Sequence, residues 1–283
     1  MKKRRIILAS AAAAILIAVA VFISCQKENS VSIDESVQPA THQLGCLMLP
    51  AETYMSIELK DASLSVLKAA PKVLTLNVPP VGDQGSEGSC VAWGTTYAGR
   101  SINWQALHQA AWSQSENIFS PEYVYDQIKV GSCSSGSYVT DGLKLLVNQG
   151  VVPWSIMPYS DVNGCSLVPT VDQKTLAATY KVASYSRVSI TSTAIKAALA
   201  SGKPVIVAGP VNIAFMYLRG TSVLKNFTGR SLGGHCYCVV GYDDGKQAFR
   251  IMNSWGTSWG TNGFGYIGYS YVSRWWQEAY VLN

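Results

Sequence analysis

Charge is scarce in this chain. Only 14% of its 283 residues are Asp, Glu, Lys or Arg, while 48% are hydrophobic. An average globular protein carries about 25% charged residues, so a disordered polyelectrolyte is excluded. A basic excess is lacking too. Lys2, Lys3, Arg4 and Arg5 supply four of the 22 basic residues, which leaves 18 against 17 acidic ones. No overall basic surplus therefore argues for nucleic acid as a partner. Histidine is rarer still, with three in the whole chain, so a general base has few candidates. No repeat or low-complexity block follows Val81. The length allows one large domain or two modest ones with a real core.

The long hydrophobic run lies at the N-terminus. The basic residues 2–5 precede Ile6 to Ile23, eighteen residues that are apolar except for Ser10. Ser24-Cys25 follows, and then polar Gln26-Lys27-Glu28-Asn29-Ser30. A basic stretch, an apolar stretch and a small residue before the cut describe an export signal. Eighteen apolar residues also reach the lower bound of a spanning helix, which leaves an uncleaved anchor as the alternative. The segment resembles a bacterial lipoprotein signal, in which the cysteine after the small residue is lipidated. Phe22 departs from that pattern, where Leu is usual three residues before the cysteine. In either case the basic end stays cytoplasmic and the rest is exported. The expected location is extracytoplasmic, on a membrane-anchored lipoprotein, where disulfides are permitted. Residues 1–24 are read as signal, 25–72 as a tether with a short packing segment, and 73–283 as the main domain. The alternating stretch Val73 to Val81, closing on Pro79-Pro80, reads as an extended strand entering that domain.

Gly82, Gly85 and Gly88 lead up to Ser89-Cys90, after which the chain runs to His108 without proline or turn cluster. A glycine-rich turn feeding a helix puts Cys90 at the helix N-terminus, with Ser89 or Gly88 as cap. The positive end of a helix favours thiolate over thiol. A buried structural cysteine is the alternative. A nucleophilic cysteine needs a base. His42 lies in the tether, and His108 is eighteen residues along the same helix, about 27 Å away. His235 remains, at the start of a strand that follows Gly233-Gly234. Residues 248–253 form a second strand ending at Asn253. An adjacent strand could bring the Asn253 amide beside His235, where it would hold the imidazole's tautomer.

These motifs together resemble the papain-like cysteine peptidases. Gln84 through Cys90 is similar to that family's Gln-Gly … Gly-Ser-Cys motif, Gly234-His235 to its histidine, and Asn253-Ser254-Trp255-Gly256-Thr257-Ser258-Trp259-Gly260 to its asparagine block. His235 lies 145 and Asn253 163 residues after Cys90, near the family interval of about 130–150. The resemblance covers roughly residues 75 to 283. It implies that Cys90 attacks the scissile carbonyl and that His235 pairs with it and protonates the leaving amine. It implies that Asn253 orients His235, with Trp255 shielding that bond. Gln84's amide and the Cys90 N–H would form the oxyanion hole. Gly136 is similar to the family glycine whose backbone pairs with the substrate two residues before the cut.

The chain also departs from the family. Glu87 stands where a cysteine is usual and Val91 where an aromatic is usual. The missing cysteine normally bridges to the position of Cys133, and the usual partner of Cys165 is absent near Asp126-Gln127. The resemblance thus implies that Cys133 and Cys165 pair with each other. The segment between Cys25 and Val73 lacks the long charged helical pattern of an inhibitory pro-segment.

Other patterns carry less. Gly263 to Gly268 matches G-x-G-x-x-G, but its flanks read as hairpin strands and not as strand and helix. On a strand, His235 faces away from Cys236 and Cys238, so the three make no metal cluster, and both cysteines read as small buried residues. Cys46 has no assigned role. Ser120-Pro121-Glu122 opens one helix, Thr140-Asp141 another ending at Gly150, and a third spans about Ser192 to Ala200. Strands are expected near 204–208, 235–242, 248–253, 264–270 and 278–282. Helices first and strands second make an α+β protein. The papain-like resemblance implies two lobes, about 79–170 and 171–283, with a cleft between them. The expected activity is that of a thiol endopeptidase with no cofactor and no metal. It would act as a monomer on protein or peptide substrates, held to the membrane through a lipid on Cys25. The alternatives are a cell-wall amidase or transpeptidase with the same Cys-His pair, and a binding module on a dead peptidase scaffold.

Overall fold

The computed structural model describes residues 42–162 and 165–283. The signal over residues 1–24, Cys25 and the first part of the tether lie outside the described residues. Between 42 and 72 the chain is packed. It forms strand β1 (Cys46–Leu47), helix α1 (Ala51–Met55) and a short 3₁₀ turn at Leu64–Lys68. The Leu49 N–H donates to Glu278 Oε1 at 2.7 Å, and the Arg187 Nε–H donates to the Ile57 carbonyl at 2.9 Å. Asp61 accepts from the Ser189 backbone and hydroxyl. The packed part of the extension is thus longer than the short segment expected. Strand β2 (Val73–Thr75) is shorter than the alternation suggested: the Leu76 N–H still donates to the Val240 carbonyl of the neighbouring strand at 2.8 Å, but Pro79-Pro80 offers no N–H to carry the ladder further.

The helical part comes next. Helix α2 begins at Cys90–Ala92, continues as a π-helical stretch at Trp93–Arg100 and ends as α-helix at Ser101–His108. Thr95 Oγ1 donates to the Val91 carbonyl at 2.7 Å, one of the side-chain contacts that compete with regular helical bonding. Helix α3 (Pro121–Ile128) is capped by Ser120, whose hydroxyl accepts from the Tyr123 N–H, with proline in the first turn. Strand β3 (Ser137–Tyr138) precedes α4 (Val139–Asn148), and α5 (Val171–Ala177) opens on a capping box between Thr170 and Gln173.

The remaining strands are β4 (Tyr185–Arg187), β5 (Val205–Val211), β6 (Val223–Leu224), β7 (Gly233–Asp243), β8 (Ala248–Met252), β9 (Phe264–Gly268) and β10 (Glu278–Leu282). They form an eight-stranded sheet in the order β4-β10-β5-β7-β8-β9-β6, with β2 pairing on β7. Three helices intervene: α6 (Ser192–Ala200), α7 (Ile213–Met216) and α8 (Val272–Trp275). The fold is α+β, and β7 divides its two cores by the period-two rule. Cys236, Cys238 and Val240 pack with α2, α3 and α4 in one core. Tyr237 and Val239 pack with Phe215, Phe249, Trp255, Trp275 and Trp276 in the other. Helix α2 approaches β7 closely at Gly94, where a Cβ would lie 2.7 Å from Cys236 Sγ. That approach delivers the N-terminus of α2 to the start of β7.

Candidate active site

Cys90 opens α2 and is fully buried. Ser89 occupies the cap position without making the expected cap bond, because its hydroxyl is engaged by Tyr159 Oη at 2.7 Å. Tyr159 also donates to the Gln84 carbonyl at 2.6 Å and so fixes the turn before Cys90. The backbone N–H groups of Cys236, Gly45 and Val91 are directed at the Cys90 thiol and favour its ionised form. Burial outweighs them, with the Cys236 thiol adding to it, and holds the Cys90 pKa at about 12. The helix end alone led to the opposite expectation. The difference is desolvation, which the sequence pattern does not contain.

His235 lies on β7 one residue before Cys236 and is also fully buried. Asn253 leaves the end of β8, and β7 and β8 are antiparallel neighbours. His235 Nε2 and Asn253 Oδ1 stand 2.8 Å apart. The Ser254 backbone N–H donates to the same Asn253 Oδ1 at 2.8 Å. A backbone N–H can only donate, so this bond fixes the amide oxygen in place. His235 must then carry its proton on Nε2, leaving Nδ1 as a lone pair. Nδ1 has no hydrogen-bond partner among the described residues. Trp255 covers the ring, stacked at 4.5 Å between centroids. Burial lowers the His235 pKa to about 4, against the opposing effect of Asn253. In this state the Cys90 thiol and the His235 ring are both neutral.

Gln84 is buried in the adjoining turn. Its Oε1 accepts from Ser254 Oγ at 2.7 Å and from Trp255 Nε1 at 3.2 Å. Both are donors, so the amide nitrogen must face the other way. Nε2 donates to the Glu87 carbonyl at 2.9 Å and to the Gln43 carbonyl at 3.0 Å.

Gln43 belongs to the extension, and the sequence reading missed what this segment does. Residues 42–48 run through the site as a strap. His42 stacks on Trp255 at 5.2 Å and 4°, with Nδ1 3.5 Å from Asp83 Oδ1. The Gly45 N–H reaches the Cys90 thiol, and the Gly45 carbonyl accepts from the Ser137 N–H at 2.9 Å. Strand β1 then pairs in parallel with β3, Cys46 opposite Ser137. Three backbones meet where glycines allow it. A Cβ on Gly45 would lie 1.9 Å from the Gly88 carbonyl oxygen, and one on Gly136 would lie 2.3 Å from that of Gly45. Among the described residues the extension has no long charged helix, and residues 42–48 instead lie extended beside Gln84 and β3. The available signal was the apolar run Leu44, Cys46, Leu47, Met48 and Leu49 inside an otherwise polar stretch.

The other residues singled out in the sequence fall nearby. Cys133 and Cys165 form a disulfide with Cα atoms 5.2 Å apart. Glu87 lies against that bridge with both oxygens buried and unpartnered. Burial raises its pKa to about 7. Cys236 and Cys238 are buried, and Cys236 touches the thiol of Cys46. The glycines of residues 263–268 lie in and around β9, not at a phosphate-binding turn.

The family described as papain family cysteine protease matches residues 71–274. This chain belongs to that family. Among known members it is 30% identical over 195 residues to "Cathepsin B-like CP3" of Giardia intestinalis, covering 66% of this chain and 63% of that protein. It is 31% identical over 205 residues to "Cysteine proteinase 15A" of Pisum sativum, covering 66% of this chain and 53% of that protein. This papain-family chain therefore matches between half and two thirds of those relatives' lengths. Among solved structures it resembles xylellain, a cysteine protease from Xylella fastidiosa. The TM-score is 0.72 at 27% identity, over 87% of this chain and 97% of that one. The fold is shared with proCathepsin B S9 from Trypanosoma congolense, with TM-score 0.70 at 16% identity over 85% of this chain and 86% of that one.

Proposed function

We propose that this papain-family chain is a thiol endopeptidase, held latent by its own residues 42–48. The observation that carries the reading is a peptide already seated in the groove. The Gly45 N–H lies on the Cys90 thiol and the Gln43 carbonyl on the Gln84 amide. A groove that binds one extended backbone at these groups can bind another. Once the strap leaves and water enters, the burial that keeps Cys90 and His235 neutral is relieved. The Cys90 proton then moves to His235 Nδ1, the ring position left open by the bond from Nε2 to Asn253. Cys90 Sγ attacks the peptide carbonyl, and its oxyanion is received by the Gln84 Nε2–H and the Cys90 N–H. His235 returns the proton to the leaving amine, and water hydrolyses the thioester with His235 as base. Trp255 excludes water from the His235–Asn253 bond, and Gly136 receives the substrate backbone before the cut. A substrate would pass Gly136 before reaching Cys90. The strap passes Cys90 first, so it runs the opposite way and presents no bond for cleavage.

The lipid anchor on Cys25, the extracytoplasmic location and the monomeric state belong to the same proposal. The apolar run 6–23 and Ser24-Cys25 support the first two. The test is hydrolysis of labelled casein and fluorogenic peptides by the full reduced chain. Cleavage by wild type and none by Cys90→Ala is expected, and equal rates in both would refute the reading. Radiolabelled palmitate should enter the wild type and not Cys25→Ser.

A further inference from the structure

Four cysteines lie outside the disulfide among the described residues, and three of them meet at the strap: Cys46, Cys90 and Cys236. The function proposed above uses only Cys90. Cys46 sits at the centre of the strap, one residue after the Gly45 that covers Cys90. Its backbone is fixed from two sides. It is opposite Ser137 in the β1–β3 register, and its carbonyl lies where a Cβ on Gly234 would come within 2.1 Å. From that position its side chain enters the buried core that also holds Cys236, two residues beyond Gly234 on β7, where the two thiols are neighbours. Cys236 is therefore the thiol that the fold sets beside Cys46. Residue 236 is anchored in the middle of the sheet, facing Ala208 of β5. Nothing in the packing requires two thiols here, since any small apolar pair would fill the space. What a thiol pair adds is a covalent option.

We propose that Cys46 and Cys236 form a reversible disulfide that locks the strap over the active site, so that release of the enzyme requires reduction. The inference rests on the latent-peptidase reading. The reaction balances as thiol–disulfide exchange with an external disulfide, either a small molecule or the disulfide of an oxidoreductase. The Cys46 thiolate attacks one sulfur of the external disulfide, forming a mixed disulfide and expelling one thiolate. The Cys236 thiolate attacks the Cys46 sulfur of that intermediate and expels the second. The protein pair loses two electrons and two protons, and the external disulfide becomes two thiols. Because both sulfurs are buried, exchange proceeds when the strap lifts. The protonated state that burial imposes on Cys46 slows both closing and opening. In an oxidising compartment the lock persists until a reductant is met. The bond would join residues 46 and 236 and tie the extension to the central strand of the sheet, whereas Cys133–Cys165 closes a loop of the main domain alone.

The test uses the full chain. In a Cys90→Ser background, which removes the competing oxidation of Cys90, the protein is incubated with oxidised glutathione and its disulfides are mapped by peptide mass spectrometry. A Cys46–Cys236 cross-linked peptide, lost on adding dithiothreitol, is expected. In the wild type the same oxidant should lower peptide hydrolysis at least tenfold and dithiothreitol should restore it. In Cys46→Ser the strap cannot be locked, so the protection it gives Cys90 against a bulky maleimide no longer grows on oxidation. Failure to find the cross-link overturns the lock, whatever the activity. A wild type whose only new modification is glutathione on Cys90 overturns it as well. If the cross-link forms but the reduced wild type cuts no peptide, the lock stands and the peptidase reading fails instead.

Discussion

Replacing Gly45 by alanine should switch the enzyme on. The added methyl group would lie 1.9 Å from the Gly88 carbonyl oxygen and 2.4 Å from its carbon, both backbone atoms. Gly88 cannot retreat easily, because its N–H donates to the Cys133 carbonyl at 3.2 Å and the next residue is held by Tyr159. The strap must move instead. Overpacking of this kind costs about 1–3 kcal/mol, and each ~1.4 kcal/mol is a factor of ten in an equilibrium. The fraction of chains with an open strap should rise about tenfold to hundredfold, until the open form dominates. The effect has two independent readouts. Peptide hydrolysis should increase by that factor in kcat/KM for the reduced full chain. Alkylation of Cys90 at pH 7 should accelerate too. A covered thiol with a pKa of about 12 is ionised to only about one part in 10⁵ at pH 7, whereas the uncovered pair regains its thiolate. The melting temperature of the main domain should hardly change, since Gly45 lies outside its central sheet. If Gly45→Ala hydrolyses peptide no faster than wild type and Cys90 alkylates at the same rate, with the fold intact, the strap is not what holds the enzyme back.

Three further outcomes follow from the same geometry. In the Gly45→Ala background, Gln84→Ala should reduce kcat about 10²–10³-fold with little change in KM, since its Nε2 serves the developing oxyanion and its Oε1 is already held by Ser254 and Trp255. Asn253→Ala should leave the His235 Nε2–H without its acceptor, costing about 1–3 kcal/mol or roughly 5- to 150-fold in rate, and should shift the acidic limb of the pH–rate profile. Glu87 and Glu122 have pKa values raised by burial to about 7 and about 8, with Asp126 beside them raised to about 6. Carboxyls that bind protons more tightly when folded stabilise the fold below about pH 4.5 and lose that contribution as pH rises through their folded values. The urea midpoint should therefore fall between pH 5 and 8, and Glu87→Gln with Glu122→Gln should flatten that slope; an unchanged slope would show that these acids ionise freely.

The order of helices and strands was legible in the residues because local rules decide it. Ser120-Pro121-Glu122 caps and starts α3, and Gly233-Gly234 opens β7 before a β-branched and aromatic run. The tether was harder to read. Its polar composition conceals a short strand whose pairing partner, β3, lies some ninety residues away. Ser89 was expected as a helix cap, yet its hydroxyl goes to Tyr159, seventy residues further on.

The residues by themselves determined the chemistry available to this protein: a cysteine at a helix start, one histidine at the start of a strand, and an asparagine at the end of the adjacent strand. Side-chain type and periodicity set those positions without reference to the rest of the chain. Only the tertiary structure decided the state of that chemistry. The Ser254 N–H fixes the Asn253 amide, and through it the His235 tautomer. Burial removes water from Cys90 and His235, and desolvation raises the pKa of the thiol and lowers that of the ring. Burial depends on which distant segments come to lie over a group. Three glycines at 45, 88 and 136 carry no sign in sequence that their backbones will touch.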